Sequence, residues 1–131
     1  MNIVRHDVAL AVATTEAATA TTAPVFGRID SIHITYAGAT VDGFATTAVV
    51  SVVSAVTQQT IWSETLSTLA TTTVYLNRYP RRIPQTTAGV ALTATESLTR
   101  EQFVVADEPL VVTASAAGAG TRNATVRIIT S

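Results

Sequence analysis

Apolar and polar residues alternate along several short segments of this chain, as they do in β-strands that bury one face. In residues 26–38, apolar Ile32, Ile34 and Tyr36 alternate with polar residues. Residues 46–56 are rich in valine without a clean alternation, which predicts a strand that is covered on both faces. Further segments with strand character lie at 59–66, 71–79, 89–93, 102–107, 109–115 and 124–130.

Turn-forming residues separate these segments, and helix signals are nearly missing. Glycine, proline, aspartate and asparagine cluster between the strands, as in the AGAGTRN stretch at 117–123. No long segment places its apolar residues at the spacing of an α-helix, and β-branched residues are abundant. The pattern therefore predicts an all-β fold, an antiparallel β-sandwich or jelly roll of seven to eight strands with an extended N-terminal arm.

The predicted arm rests on the composition of residues 13–24, which are mostly alanine and threonine and end in a proline. Such a segment is typical of a linker or an extended tether, and fully extended it spans on the order of 40 Å. The strand-like residues ahead of it can then pair with an exposed sheet edge of a neighbouring subunit. In the alternative interpretation, they fold back onto their own domain.

This pattern divides the chain into an N-terminal arm and tether, residues 1–24, and a β-sandwich domain, residues 25–131. If the arm reaches a neighbour, its strand-like side chains form the contact. The interface candidates in the arm are Arg5, Val8, Leu10 and Val12.

The composition favours a protein that packs among neighbours. Charged residues make up 13% of the chain and its net charge is −1, so no overall field attracts nucleic acid or an acidic membrane. A surface of threonine and serine loses little side-chain entropy or charge hydration when it is covered. No segment approaches the roughly 18–20 apolar residues of a membrane span. We therefore predict contacts with proteins and none with nucleic acid or membrane.

Residues with catalytic or metal-binding chemistry are few. The chain has no cysteine and two histidines, His6 and His33, which lie on different segments. Its carboxylates are scattered, and its glycine-rich stretches lack the lysine of a phosphate-binding loop. A nucleophile with a positioned base, or a cluster of metal ligands, is not evident. We predict no enzymatic activity, no cofactor and no metal site.

The arginines of residues 78–82, the sequence RYPRR, are the most distinctive cluster in a chain with eight arginines and no lysine. Nucleic-acid binding would use the arginines on phosphates and Tyr79 for stacking, but the chain has few aromatic residues for such a face. A bend shaped by Pro80 and Pro84 explains the cluster without a partner. Arginine and tyrosine are enriched at protein interfaces, which favours a docking rim. The candidates in this rim are Arg78, Tyr79, Arg81 and Arg82.

The second half of the chain resembles small virion proteins of tailed bacteriophages. The resemblance is carried by YPR at 79–81, TTAGVALT at 86–93 and the closing strands of 101–131, with GRIDSIHITYAG at 27–38 similar to their first sheet strand. It implies a β-sandwich that decorates or cements the outer surface of a phage head. The expected partners are the major capsid protein and copies of this chain, as a homotrimer.

Two other functions stay open at this point. The same resemblance also fits a structural component of the neck or tail of the virion. A carbohydrate-binding module is an alternative of a different class, because such modules place aromatic side chains on an exposed sheet face. Trp62 with Tyr75 or Tyr79 is the set that could do so.

Overall fold

The computed structural model describes residues 3–12, 17–36, 48–66, 73–81, 101–115 and 122–131. These residues form nine β-strands and no helix, which confirms the predicted all-β class. The strands are β1 (Val4–Val12), β2 (Ala18–Thr21), β3 (Val25–Tyr36), β4 (Val49–Ser54), β5 (Thr60–Thr65), β6 (Val74–Arg78), β7 (Val104–Glu108), β8 (Leu110–Ala114) and β9 (Arg122–Thr130). Among the described residues there is no apolar helix of membrane-spanning length.

The strands form two antiparallel sheets, as predicted for a β-sandwich. The first sheet has the order β1-β9-β3-β6, and β7 also pairs with β3; the second has the order β2-β8-β4-β5. The predicted strand at 89–93 lies outside the described residues. The two strands that the sequence did not predict as part of the sandwich are β1 and β2, both within residues 1–24.

Strand β3 is the longest strand and is paired along both of its edges. On one side it pairs with β9 from Ile29 to Tyr36. On the other side, β7 pairs with its first residues, 25–28, and β6 with its last, 32–36. An irregularity in the pairing with β9 falls between Ile29 and Ser31, so that Ile29 and Ile32 both face the interior although three positions separate them.

The core lies between the inner faces of the two sheets. Ile32, Ile34 and Tyr36 are buried, at 0%, 1% and 2% exposure, which confirms the alternation predicted for β3. In β4, the buried Val50 and Val52 alternate with exposed or half-buried residues. For β4, the strand that the structure describes within this segment, the prediction of cover on both faces is therefore wrong, because the first sheet covers only one face of β4.

The N-terminal segment belongs to the sandwich of its own chain. β1 pairs with β9 over its whole length, from Val4 opposite Thr130 to Val12 opposite Arg122. Val8 and Leu10 are 7% and 3% exposed and form part of the core. The segment therefore folds back onto its own domain, which was the alternative interpretation. The predicted extended arm is wrong, because this segment is an edge strand of the first sheet. The physical reason is that its apolar side chains have a core to fill in the same chain.

Gly27 is a position where the backbone requires glycine. Its φ is +100°, a region that other residues rarely adopt. A Cβ built on Gly27 would overlap the main-chain oxygen of Ser131, and residues 28 and 131 exchange two backbone hydrogen bonds of 2.9 Å beside it. The close approach of these two backbones therefore depends on the missing side chain.

We expect Gly27→Ala to lower the free energy of unfolding by about 1–3 kcal/mol, through backbone strain and the overlap with Ser131. Asp107→Gly is the matched control, since Asp107 has a φ of 57° and glycine relieves strain there. Urea denaturation of both variants measures the difference. A Gly27→Ala protein as stable as the parent would show that the backbone at 27 and 131 is not closely packed.

Candidate functional site

A groove of about 460 Å³ lies on the outer face of the first sheet. It crosses three strands, β6, β3 and β9, and is formed mainly by residues that point away from the core; the side chain of Ile34, which also lines it, belongs to the core. Its lining residues are His33, Ile34, Thr35, Tyr75, Asn77, Thr125, Arg127 and Ile129. Because adjacent strands bring their directly paired residues together on one face, the register of the sheet determines which side chains meet here.

The register arranges the outer face in two rows. Asp7, Arg127, His33 and Asn77 are paired in turn across β1, β9, β3 and β6. The next row joins Thr125 on β9, Thr35 on β3 and Tyr75 on β6. One row is thus polar with long side chains, and the other has two short threonines beside a tyrosine.

His33 is held by hydrogen bonds at both ring nitrogens. Its Nδ1 lies 2.6 Å from Oδ1 of Asn77, and its Nε2 lies 2.9 Å from Oγ of Ser31. An amide oxygen can only accept, so Nδ1 carries a proton and donates to Asn77. In the neutral ring, Nε2 then accepts from the hydroxyl of Ser31. These bonds fix the ring in the floor of the polar row.

Ser31, His33 and Asn77 stand in the order of nucleophile, base and orienting group that serine hydrolases use. However, Ser31 is 7% exposed and does not line the groove. A substrate carbonyl in the groove would therefore meet the imidazole and the amide rather than the serine oxygen. We interpret the three residues as a network that positions His33, and the absence of enzymatic activity stays a prediction.

Arg127 is paired with a carboxylate of the neighbouring strand. Its Nε donates to Oδ1 of Asp7 at 2.9 Å and its Nη2 to Oδ2 at 3.3 Å. Arg5 lies 3.2 Å from the same carboxylate. The hydrogen bond from Arg127 holds the pKa of Asp7 below its ordinary value, against desolvation, and the nearby positive charges add to the effect. Arg5, an interface candidate, is exposed, and its guanidinium pairs with a carboxylate of its own strand.

Arg78, a member of the predicted docking rim, is half-buried and does not lie on the exposed surface of that rim. Arg78 pairs with Ile32, a core residue, and so points to the inner side of the sheet edge. There it makes a two-bond ion pair with Glu64 of the other sheet, Nε to Oε2 at 2.5 Å and Nη2 to Oε1 at 2.6 Å. Arg78 thus joins the edges of the two sheets through β5 and β6. The charge of Arg78, which we predicted to contact a partner protein, is therefore paired with a carboxylate of the same chain.

The rest of the rim remains at the surface. Tyr79 is 65% exposed, and Pro80 is buried beneath the rim. Arg81 is exposed and donates to the carbonyls of Pro80, at 2.8 Å, and Asp30, at 3.5 Å. Arg82 lies outside the described residues. Of the four rim candidates, Tyr79 and Arg81 are therefore the two that the structure shows to be accessible.

The ion pair between the sheets changes the acidity of Glu64. The hydrogen bond from Arg78 lowers the pKa of this carboxyl, against the opposing effect of burial, and the charge of Arg78 and a hydrogen bond from Trp62 act in the same direction. A lowered pKa means that folding favours the ionised form. This stabilisation is complete above the pKa that Glu64 has in the unfolded chain, and is lost as the pH falls through the lower folded value.

We expect Arg78→Gln to reduce the free energy of unfolding at pH 7 by about 1 kcal/mol, because the charged pair is partly shielded from water. The difference from the parent should shrink as the pH falls below the ordinary pKa of a glutamate, about 4.3, and disappear once the pH is below the lowered pKa of Glu64 in the folded parent. Arg81→Gln is the control and should change stability by less than about 0.5 kcal/mol. Equal losses for Arg78→Gln at pH 3 and pH 7 would show that packing of the side chain, not its charge, is responsible.

The aromatic set predicted for a carbohydrate-binding module does not lie on one face. Trp62 pairs with Val52, which is fully buried, and so points between the sheets. Tyr75 points outward from the first sheet and is 74% exposed. The two rings therefore belong to different environments. The groove beside Tyr75 was not predicted from the sequence. The pairing of β6, β3 and β9 forms it, and this pairing leaves no local pattern in the sequence.

A second exposed feature is apolar. Phe26 on β3 and Val104 on β7 are 63% and 66% exposed and lie on the same outer face, diagonally across the strand pair. We call Phe26 and Val104 the apolar patch. Arg28, paired with Val104, lies next to them and lines a shallow depression with Glu101 and Gln102. These two neighbouring apolar side chains form a surface that another protein could cover.

The part of the chain that the structure describes contains no cluster of side chains that could coordinate a metal ion. Groups of three or more histidine or carboxylate side chains that could hold an ion do not occur among those residues. His6 contacts the hydroxyl of Thr130 at 3.3 Å, and His33 contacts an amide and a hydroxyl.

Comparison with known proteins identifies no family for this chain. No family model matches it, and no curated protein is a significant match. Among solved structures, it is similar to the crystal structure of FlhE, with 13% identity and a TM-score of 0.41 over 99% of this chain and 98% of that one. It is also similar to a protein of the disulfide-linked pili of Bacillus endospore appendages, with 14% identity and a TM-score of 0.30 over 98% and 89% of the two chains. Likeness at this level carries no conclusion about function.

Proposed function

We propose that this chain is a non-enzymatic structural subunit of a tailed-phage virion that decorates the outer surface of the head. In this role it associates with copies of itself, as a homotrimer, and contacts the major capsid protein across neighbouring subunits. The proposal combines the resemblance of residues 79–81, 86–93 and 101–131 to such virion proteins with the surface described above.

The apolar patch is the observation that supports this proposal most. Phe26 and Val104 expose well over half of their surface, and covering them releases about 25 cal/mol for each Å² of apolar surface removed from water. A chain that worked alone would gain nothing from this exposure. A chain that packs against another protein gains a central apolar contact, which is the arrangement of an interface hot spot.

The surroundings of the apolar patch fit the same role. Ala106 lies beside Phe26 in the register and adds a short apolar side chain. Arg28 supplies a cation at the border, as the rim of a protein interface does. Tyr79 and Arg81 provide a second accessible pair of the residue types that are enriched where proteins touch.

Phage heads that lack this protein are the direct test. We expect the purified chain to sediment with such heads, and the double variant Phe26→Ser, Val104→Ser to bind about tenfold more weakly or worse, because the apolar contact is removed. Co-sedimentation across a range of protein concentrations measures the affinity. The control is Val56→Ser, which changes an apolar residue that is 64% exposed in the turn between β4 and β5.

The outcomes separate the open alternatives. Binding by the parent and the Val56→Ser control, with loss in the double variant, supports decoration through the apolar patch. Binding to isolated tails instead of heads would replace the head assignment by the neck or tail role. A monomer that sediments with neither particle contradicts the proposed function. Thermal melting of each variant verifies that the substitutions leave the sandwich folded.

A further inference from the structure

We propose that the groove on the outer face of the first sheet binds pyranose units of a neutral polysaccharide, with the ring of Tyr75 as the stacking surface. This activity is independent of the apolar patch. The groove lies at residues 33 and 35 of β3, and the patch begins at residue 26, so the two are about 20 Å apart along the strand. A virion subunit with such a groove would hold surface glycans in addition to its protein contacts.

The shape of the groove follows from the register. Thr35 and Thr125 are directly paired and form a floor of short side chains. Tyr75 stands beside Thr35 on β6, and Arg127 and Ile129 follow Thr125 along β9. Two strand spacings separate β6 from β9, about 10 Å, which leaves room for a six-membered ring above the threonines. The volume of about 460 Å³ is in the range of small-ligand sites.

Tyr75 supplies the apolar surface that sugar recognition needs. It is 74% exposed, whereas Tyr36 on the paired strand is 2% exposed and belongs to the core. Tyr75 therefore contributes little to the stability of the sandwich. An aromatic ring offers a flat apolar face with a negative electrostatic potential. The C–H face of a pyranose is apolar with slightly positive hydrogens and fits this surface.

The polar groups around the floor have hydrogen-bonding capacity left over. Asn77 uses its Oδ1 to accept from His33, and its amide N–H groups have no partner among the described residues. Arg127 uses Nε and Nη2 on Asp7, and its Nη1 likewise has no partner in that part of the chain. The hydroxyls of Thr35 and Thr125 can both donate and accept. Sugar hydroxyls also do both, so a pyranose matches this mixture.

The charge of the groove favours a neutral ligand. Arg127 is the charged side chain in its lining, and its two bonds to Asp7 offset part of that charge, since the same carboxylate also pairs with Arg5. A phosphate or carboxylate would have to compete with Asp7 for the same guanidinium. A neutral sugar needs only the unused N–H groups. His33 is already held by Ser31 and Asn77 and forms a rigid part of the site, which lowers the entropy lost on binding.

Titration of the isotopically labelled full chain with neutral oligosaccharides tests this inference. The probes are cellohexaose, chitohexaose and maltohexaose, followed by NMR shifts of backbone and side-chain N–H groups. We expect at least one of them to give saturable shifts at Tyr75, Asn77 and Arg127, with a dissociation constant of about 1 mM or lower. Tyr75→Ala should weaken this binding about tenfold or more, and Tyr75→Phe less than about threefold, because the ring and not the hydroxyl provides the contact.

Tyr79→Ala is the matched control, since Tyr79 is a similarly exposed tyrosine of the same segment that does not line the groove. It should leave the titration unchanged. The inference is overturned if none of the three probes gives saturable shifts at 10 mM or below, which is roughly the weakest affinity that such a contact can supply. It is also overturned if a sialic acid oligomer binds more tightly than the neutral probes. Sugar binding by the Phe26→Ser, Val104→Ser protein separates this result from that of the head-binding experiment.

Discussion

The pairing of strand β3 along both of its edges is the constraint on which the rest of the structure depends. β9 occupies one edge, and β7 and β6 share the other edge end to end, so twelve residues align three other strands. The inner face of β3 supplies Ile29, Ile32 and Ile34 to the core. Its outer face supplies one of the two side chains of the apolar patch and the middle of the groove. A change in the pairing of β3 would therefore alter the core and both surface features together.

Local backbone geometry makes this double pairing possible. The irregularity in the pairing with β9, between Ile29 and Ser31, shifts the alternation by one position, so that Ile32 points inward. Gly27, with its positive φ, lets the backbone at Ser131 approach closely. At the β6 edge of the first sheet, the ion pair of Arg78 and Glu64 holds the margins of the two sheets together. The outer face can then carry exposed side chains because the sandwich is held by contacts elsewhere.

The alternation of apolar residues was sufficient to predict the fold class and the inner face of β3, since burial of one sheet face determines that pattern. It could not predict that Val8 and Leu10 fill the core of their own chain, because a strand of this composition pairs equally well with a neighbour. The inward direction of Arg78 also has no sequence signal, because it depends on the register with Ile32. The groove could not be predicted for the same reason. Tyr75, Thr35 and Thr125 come from three strands, and only their pairing brings them together.

Native-state hydrogen exchange measured residue by residue tests the central role of β3 most directly. We expect the amides of Ile32, Ile34 and Tyr36 to exchange only when the whole chain unfolds, with an opening free energy equal to the one from denaturant titration. Amides of the edge strand β5 should exchange through smaller, local openings. If the β3 amides open with free energies well below the global value, as low as those of β5, then β3 is not the element that holds the sandwich together.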